Sequence, residues 1–205
     1  MSSSGSAAAK RALDLGLTLA ALPIALPLMA LVALWVRLDS PGPALFRQER
    51  VGRGGRLFRI HKFRTMRVHQ SGSGPQVTAA GDARITRAGY WLRRSKLDEL
   101  PQLIDVVRGD MSLVGPRPEV PSYMAKYPDQ ARQRILSIRP GITDRAAIEF
   151  RHEEQLLAAS DDPETTYVQE VMPIKQRYYL DYVDNHSVAG DLRIIFDTLR
   201  KVFDL

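Results

Sequence analysis

Apolar residues run almost without interruption from Leu15 to Val36, and nothing else in the chain resembles that stretch. As a helix these residues would span roughly 33 Å at ~1.5 Å per residue, enough to cross a bilayer. Pro23 and Pro27 fall in the middle. Each lacks an N–H and crowds the carbonyl four residues back, so the pattern predicts a break near Pro27. Beyond it the periods shorten. "ALFRQERV" and "RLFRIHKFRTM" read as two strands joined at "GRGG" into a hairpin. Residues 69–83, "HQSGSGPQVTAAGDA", have the composition of a mobile loop. In "RITRAGYWLRRSKLDELPQLIDVVRGD", Leu100, Leu103, Ile104 and Val107 share a helix face and Gly109 is a natural stop. "SLVGPRPE" is a proline-stiffened loop, and "VQEVMPIKQRYYLDYV" and "DLRIIFDTLRKVF" are amphipathic helices with aromatics expected mostly in the core. The fold class is α+β. Residues 1–9 form a disordered tail, 10–38 a membrane helix–break–helix, and 39–205 the remaining domain.

Charge refines the reading of the apolar segment. Lys10 and Arg11 precede it, and Arg37, Arg47, Arg50, Arg53, Arg56 and Arg59 follow it. Positive charge marks the cytoplasmic side, so both flanks belong on one face of the membrane. A re-entrant helix satisfies the prolines and the charges together, in preference to a straight crossing or a buried core helix. The formal net charge is +6, which suggests an anionic partner such as phosphates, nucleic acid or an acidic membrane surface. Cysteine is absent, which excludes disulfides and thiolate metal sites.

The candidate chemistry centres on Asp98 and Glu99, adjacent acids three and two residues before Pro101. Proline is tolerated only in a helix's first turn, so a helix should start here with Asp98 as its N-cap and Glu99 beside the positive end of the dipole. The same placement would keep both acids ionised, one able to attack phosphorus and the other to hold a divalent cation. Local rules leave both readings open. Lys62 and Arg64 are candidates to grip a phosphate, and Arg93, Arg94 and Lys96 lie just upstream of the acids. "GRGG" is a turn and not a phosphate loop, since no Gly-Lys-Ser/Thr follows. "HEEQ" at 152–155 lacks the second histidine of a zinc motif.

"FRQERVG", "KFRTM", "SKLDELPQL", "GDMSLVGPRPE" and "RPGIT" follow the proline-broken apolar helix in this order. Together they resemble the bacterial sugar transferases, the monotopic phosphoglycosyl transferases that begin glycan assembly on a polyprenyl phosphate. The likeness covers residues 10–203. It implies a cytoplasmic catalytic domain at the bacterial inner membrane, with the hairpin and amphipathic helices around an active site at the membrane interface. It implies that Asp98 attacks a UDP-sugar, releases UMP and passes the phosphosugar to polyprenyl (undecaprenyl) phosphate, with Glu99 binding Mg²⁺. Lys62, Arg93, Arg117, Arg151 and Asp191 match the family's phosphate- or nucleotide-binding positions. UDP-sugar, polyprenyl phosphate and the inner leaflet are then the expected partners, with a second copy of the chain as a further one and nucleic acid excluded.

Two positions depart from the family. Leu26 stands where a serine often precedes the helix-breaking proline, and "DRAAIEFRHEEQLL" follows "RPGIT" in place of Gly-Leu-Ala-Gln. The alternatives from other classes are a basic membrane-anchored nucleic-acid-binding protein, which the charge alone would allow, and a non-catalytic scaffold that keeps the fold.

Overall fold

The computed structural model describes residues 3–67 and 82–203. The 69–83 loop expected from composition falls almost wholly on residues 68–81, outside the described residues. Helix α1, Ser3–Asp39, leads to an antiparallel hairpin of β1 (Leu45–Val51) and β2 (Leu57–Phe63). Helix α2 (Arg87–Arg94), a 3₁₀ turn (Leu97–Glu99) and α3 (Gln102–Arg108) come next. Strand β3 (Ser112–Val114) pairs in parallel with β4 (Gly141–Thr143) across the short helices α4 (Pro121–Met124) and α5 (Asp129–Ile135). The chain closes with α6 (Arg145–Glu149), α7 (Glu153–Ala158), α8 (Pro163–Thr166), a π-helical turn at Tyr167–Val171, α9 (Met172–Asn185) and α10 (Val188–Phe203). This is the α+β mixture that the hydrophobic pattern predicts.

Two expectations about α1 need correction. The tail thought disordered over residues 1–9 is helical from Ser3, in keeping with the high helix propensity of its alanines. The helix also continues through Pro23 and Pro27 as one element, so the break expected within 10–38 is not an interruption of the helix. The reason lies in how α1 is held. Asp14, Thr18, Ala25, Met29, Val32 and Val36 are buried at helical spacing, forming one stripe that runs past both prolines, which stay exposed. A helix anchored along one face can lose the hydrogen bonds to Leu19 and Pro23 and still propagate.

Both ends of α1 are fastened to the same globular body. Near the start, Arg11 donates to the carbonyls of Val106 (2.8 Å) and Val107 (3.2 Å). Asp14 accepts from Ser112 Oγ (2.8 Å) and the Leu113 N–H (3.1 Å). Near the finish, Asp39 accepts from the Ala88 N–H at 3.1 Å. Between these clamps Ala25, Met29, Val32 and Val36 pack on Phe63 and Leu92. The outward side carries Ile24, Leu26, Leu31, Leu34, Trp35 and Leu38, all exposed, and the helix is long and apolar enough to cross a membrane.

The main core lies away from α1, where Val51, Tyr123, Tyr127, Ile135, Leu157, Tyr167, Val171 and Tyr179 interlock. Tyr179 and Tyr182 are buried as expected, whereas Phe196 is exposed on α10. The parallel β3–β4 pair draws "GPRPE" against "RPGIT". Gly115 N–H donates to the Thr143 carbonyl (3.0 Å) and Gly141 N–H to the Pro116 carbonyl (3.0 Å). The two glycines meet backbone to backbone. A Cβ on Gly141 would fall 2.1 Å from the Gly115 nitrogen, so neither position tolerates a side chain while the strands stay paired.

Candidate active site

The acidic pair sits in a turn that its neighbours impose. Lys96 adopts a left-handed conformation (φ 57°), the one non-glycine residue with positive φ among the described residues. It ends α2, and its carbonyl accepts from the Glu99 N–H at 3.2 Å to close the 3₁₀ turn. Helix α3 starts separately after Pro101, and neither acid caps it through its side chain. Asp98 is therefore not the N-cap that the local rules predict. Both acids are instead buried beneath β2 and the Gly115–Pro118 loop.

The two carboxyls meet very different surroundings. Glu99 Oε1 accepts from Lys62 Nζ at 3.0 Å, and Arg117 grips both Glu99 oxygens, with Nη1 at 3.1 Å from Oε2 and Nη2 on Oε1. Burial opposes the charge on Glu99, but Arg117 and Lys62 outweigh it and hold the carboxyl well below its usual range. Asp98 receives no such clamp. Its Oδ1 is buried without a hydrogen-bond partner. Burial first, and then the negative charge of Glu99, push it up to about 6 against the pull of Lys62, Lys96 and Arg93. The expectation that both acids keep low pKa values thus holds for Glu99 alone. Asp98 thus keeps an oxygen free of any hydrogen bond, whereas Glu99 is locked between two cations.

The Glu99 clamp is itself braced. Arg117 also reaches the Ile142 carbonyl (3.4 Å), and Arg50 donates to the Pro118 carbonyl (3.0 Å), fixing the loop from the hairpin side. On the far side of β2, Asp105 of α3 accepts the His61 backbone N–H (2.9 Å) and hydrogen-bonds His61 Nδ1 (2.6 Å). That buried contact ties the strand bearing Lys62 to the helix that follows the acids. Burial pushes the Asp105 carboxyl up, and the two His61 contacts oppose it.

The other expected site residues divide. Arg93 donates to Thr65 Oγ1 (3.3 Å) and pairs with Glu154 of α7 (Nε 3.1 Å). Arg64 is buried and binds the carbonyls of Ser40 (2.7 Å), Val36 (3.3 Å) and Pro41, so the structure uses it to cap the end of α1 and does not bring it to the acids. Asp191 is buried between Lys10 Nζ and Tyr182 Oη, each 2.7 Å away, at the root of α1. Arg151 is half-buried in the turn after α6, with no ion pair among the described residues. Glu99, the expected Mg²⁺ ligand, has both oxygens engaged, and no cluster of three His, Asp or Glu side chains is present among the described residues.

Sequence reading passed over Asp144, and took Arg50 only as a flanking charge and Lys96 only as one of the basic residues just upstream of the acids. Asp144 caps α6 through the Ala147 N–H (2.8 Å) and is buried, with burial raising its carboxyl to about 6. Its position one residue after "RPGIT" was the available signal. Nothing local marks the left-handed turn at Lys96.

A model of the bacterial sugar transferase family matches residues 5–205. The UDP-N-acetylgalactosamine-undecaprenyl-phosphate N-acetylgalactosaminephosphotransferase of Aeromonas hydrophila is 37% identical over 94% of this chain and 43% of its own length. The UDP-glucose:undecaprenyl-phosphate glucose-1-phosphate transferase of Caulobacter vibrioides is 42% identical over 93% of this chain and 68% of its own length. The exopolysaccharide production protein PSS of Rhizobium leguminosarum is 38% identical over 93% and 92%. The chain thus spans less than half of the Aeromonas relative and nearly all of the Rhizobium one. Placed beside a site of one open and one clamped carboxyl under a basic loop, these matches show that the chain belongs to the bacterial sugar transferase family.

Proposed function

We propose that the protein transfers a sugar-1-phosphate from a UDP-sugar to undecaprenyl phosphate through a covalent intermediate on Asp98. The observation that carries this reading is the asymmetry of the acidic pair. Asp98 has a buried, unpartnered oxygen, while Glu99 is held ionised by Lys62 and Arg117.

The step sequence balances without an outside reagent. An Asp98 carboxylate oxygen attacks the sugar-side phosphorus, and the bond from that phosphorus to the bridging oxygen breaks. UMP leaves with that oxygen and its electron pair. A phosphate oxygen of the polyprenyl acceptor then attacks the same phosphorus and breaks the bond to Asp98. The carboxylate is restored and a polyprenyl diphosphosugar departs. Lys62 and Arg117 place positive charge next to the reacting group, where charge builds in the transition state. Glu99 keeps those two cations in register and adds the negative charge that leaves Asp98 without further stabilisation of its own.

Mg²⁺ often binds through one or two carboxylates, with phosphates and water completing its shell. The open Asp98 Oδ1 fits a cation that arrives with the diphosphate, and Glu99 could join only by releasing Lys62 or Arg117. When bound, the ion would offset charge on the diphosphate.

The attachment of both α1 ends to one globular body supports a monotopic arrangement on the cytoplasmic face of the inner membrane. A crossing helix would carry one end about 30 Å away. The exposed apolar side of α1, and Val188, Leu192, Phe196 and Leu199 exposed along α10, supply surface suited to lipid. The reaction centre then lies where a soluble nucleotide and a lipid phosphate both arrive. UMP release, screened over UDP-sugars with Mg²⁺ and undecaprenyl phosphate, tests the proposal. Release with at least one donor is the expected result, and none with any donor would refute it.

A further inference from the structure

We infer that Lys96 is a further anion-binding residue of this site, presenting its ammonium group to the donor's diphosphate. The inference rests on the reading of the site as one for a UDP-sugar and gives a role to a residue that the sequence likeness leaves without one.

The first observation is conformational. Left-handed backbone is disfavoured for a non-glycine residue and persists only where the surroundings impose it. Here it falls two residues before Asp98, at the junction of α2 and the 3₁₀ turn. Glycine or asparagine would adopt this backbone with less strain, so the turn alone does not call for lysine.

The second observation is an inventory of cations. Lys62 and Arg117 stand against the acids, and Lys96 and Arg93 lie two and five residues before Asp98. Lys62 is committed to Glu99 and Arg93 to Glu154. Arg117 is likewise committed to Glu99. Lys96 is exposed and makes no ion pair or hydrogen bond through its side chain among the described residues. An incoming diphosphate meets several basic groups, yet those of Lys62, Arg93 and Arg117 already hold carboxylates. Lys96 can bind the anion without breaking an existing pair, which makes it the contact formed at least expense.

The test uses Lys96→Gly, Lys96→Asn and Lys96→Arg in the full chain, reconstituted with undecaprenyl phosphate and assayed for UMP release. Glycine and asparagine keep the left-handed turn and remove the charge; arginine keeps the charge. The expected result is a KM for the UDP-sugar raised roughly tenfold in the first two, the worth of one charge-assisted contact. Their KM for undecaprenyl phosphate stays within error of the parent and their thermal midpoint does not fall, since the left-handed strain is relieved, and Lys96→Arg stays within about threefold on every parameter. An unchanged donor KM in Lys96→Gly and Lys96→Asn, with an active parent, overturns the inference and leaves the proposed function standing. A Lys96→Arg variant as impaired as Lys96→Gly also overturns it, because charge would then not be the property that matters. A parent that releases no UMP from any UDP-sugar brings down the functional reading itself.

Discussion

Two buried clusters of acids and bases, one at the root of α1 and one at the candidate active site, satisfy their carboxyls in different ways. At the root, Asp14 accepts from Ser112 and Leu113, and Asp191 accepts from Lys10 and Tyr182, whose hydroxyl also reaches the Val114 carbonyl at 3.0 Å. Both acids there are held by several donors. At the centre, Glu99 is clamped by two cations while Asp98 keeps a buried oxygen with no partner. The difference teaches how to tell fastening from chemistry. A satisfied network positions an element, whereas a buried carboxyl oxygen without a partner calls for an explanation in function, which the proposed reaction supplies.

That contrast predicts a graded set of outcomes. The largest effect belongs to Asp98→Asn. It should lower the rate of UMP release by about 10³-fold or more, since nucleophile loss removes the reaction path and not a binding contact. Circular dichroism should show the fold retained. The thermal midpoint at pH 7 should rise, because a buried charge without a partner has been removed. Linkage gives the sign. A carboxyl whose folded pKa of about 6 exceeds its unfolded value of 3.8 stabilises most below about pH 4, and loses that contribution as the pH rises through about 6. The shift corresponds to roughly 3 kcal/mol at neutral pH.

Glu99→Gln should do the opposite to stability. It leaves Lys62 and Arg117 facing one another without their carboxylate, at a cost of about 3–5 kcal/mol. Denaturant melts of the two variants, run side by side, would break the comparison if they shifted the same way. In the parent, the Glu99 contribution persists above its ordinary pKa and is lost only as the pH falls through its depressed folded value.

A smaller effect is expected in the pH profile. In the proposed mechanism Asp98 attacks in its ionised form, so kcat/KM should fall about tenfold per unit as the pH drops below about 6. A flat profile from pH 5 to pH 7 would remove Asp98 from the attacking role. At the root of α1, Asp191→Asn should cost about 2–3 kcal/mol by stranding Lys10, yet leave the donor KM unchanged. A large rise in donor KM would restore Asp191 to the nucleotide site. Smallest of all, Glu154→Gln breaks a half-exposed pair with Arg93 and should change stability by less than about 1 kcal/mol in thermal melts.

Much of the centre was legible because its parts are contiguous motifs. "LDELP", "HKF" and "GPRPE" carry Asp98–Glu99, Lys62 and Arg117, and the structure joins Glu99 to both cations. What the sequence hides is partner choice. Arg64 lies two residues after Lys62, but β2 ends between them and its guanidinium turns to the α1 carbonyls. Asp191 reads as one more acid on an amphipathic helix until Lys10, 181 residues away in sequence, is brought against it. The N-cap expected at Asp98 fails for a similar reason. Proline placement put a helix start at the acids, but the left-handed Lys96 sets a separate 3₁₀ turn there and α3 begins only at Gln102, after Pro101. The continuous α1 is the remaining lesson: local rules for proline did not include the long buried stripe that carries the helix past Pro23 and Pro27.

In the proposed mechanism Asp98 becomes covalently loaded before any acceptor is present. Mixing the protein with its UDP-sugar in the absence of polyprenyl phosphate should release close to one UMP per active site. Intact-mass analysis should then show a sugar-phosphate adduct on the peptide containing Asp98, absent from Asp98→Asn and discharged on adding undecaprenyl phosphate. UMP release that requires the acceptor from the outset, with no adduct on the parent, would contradict it.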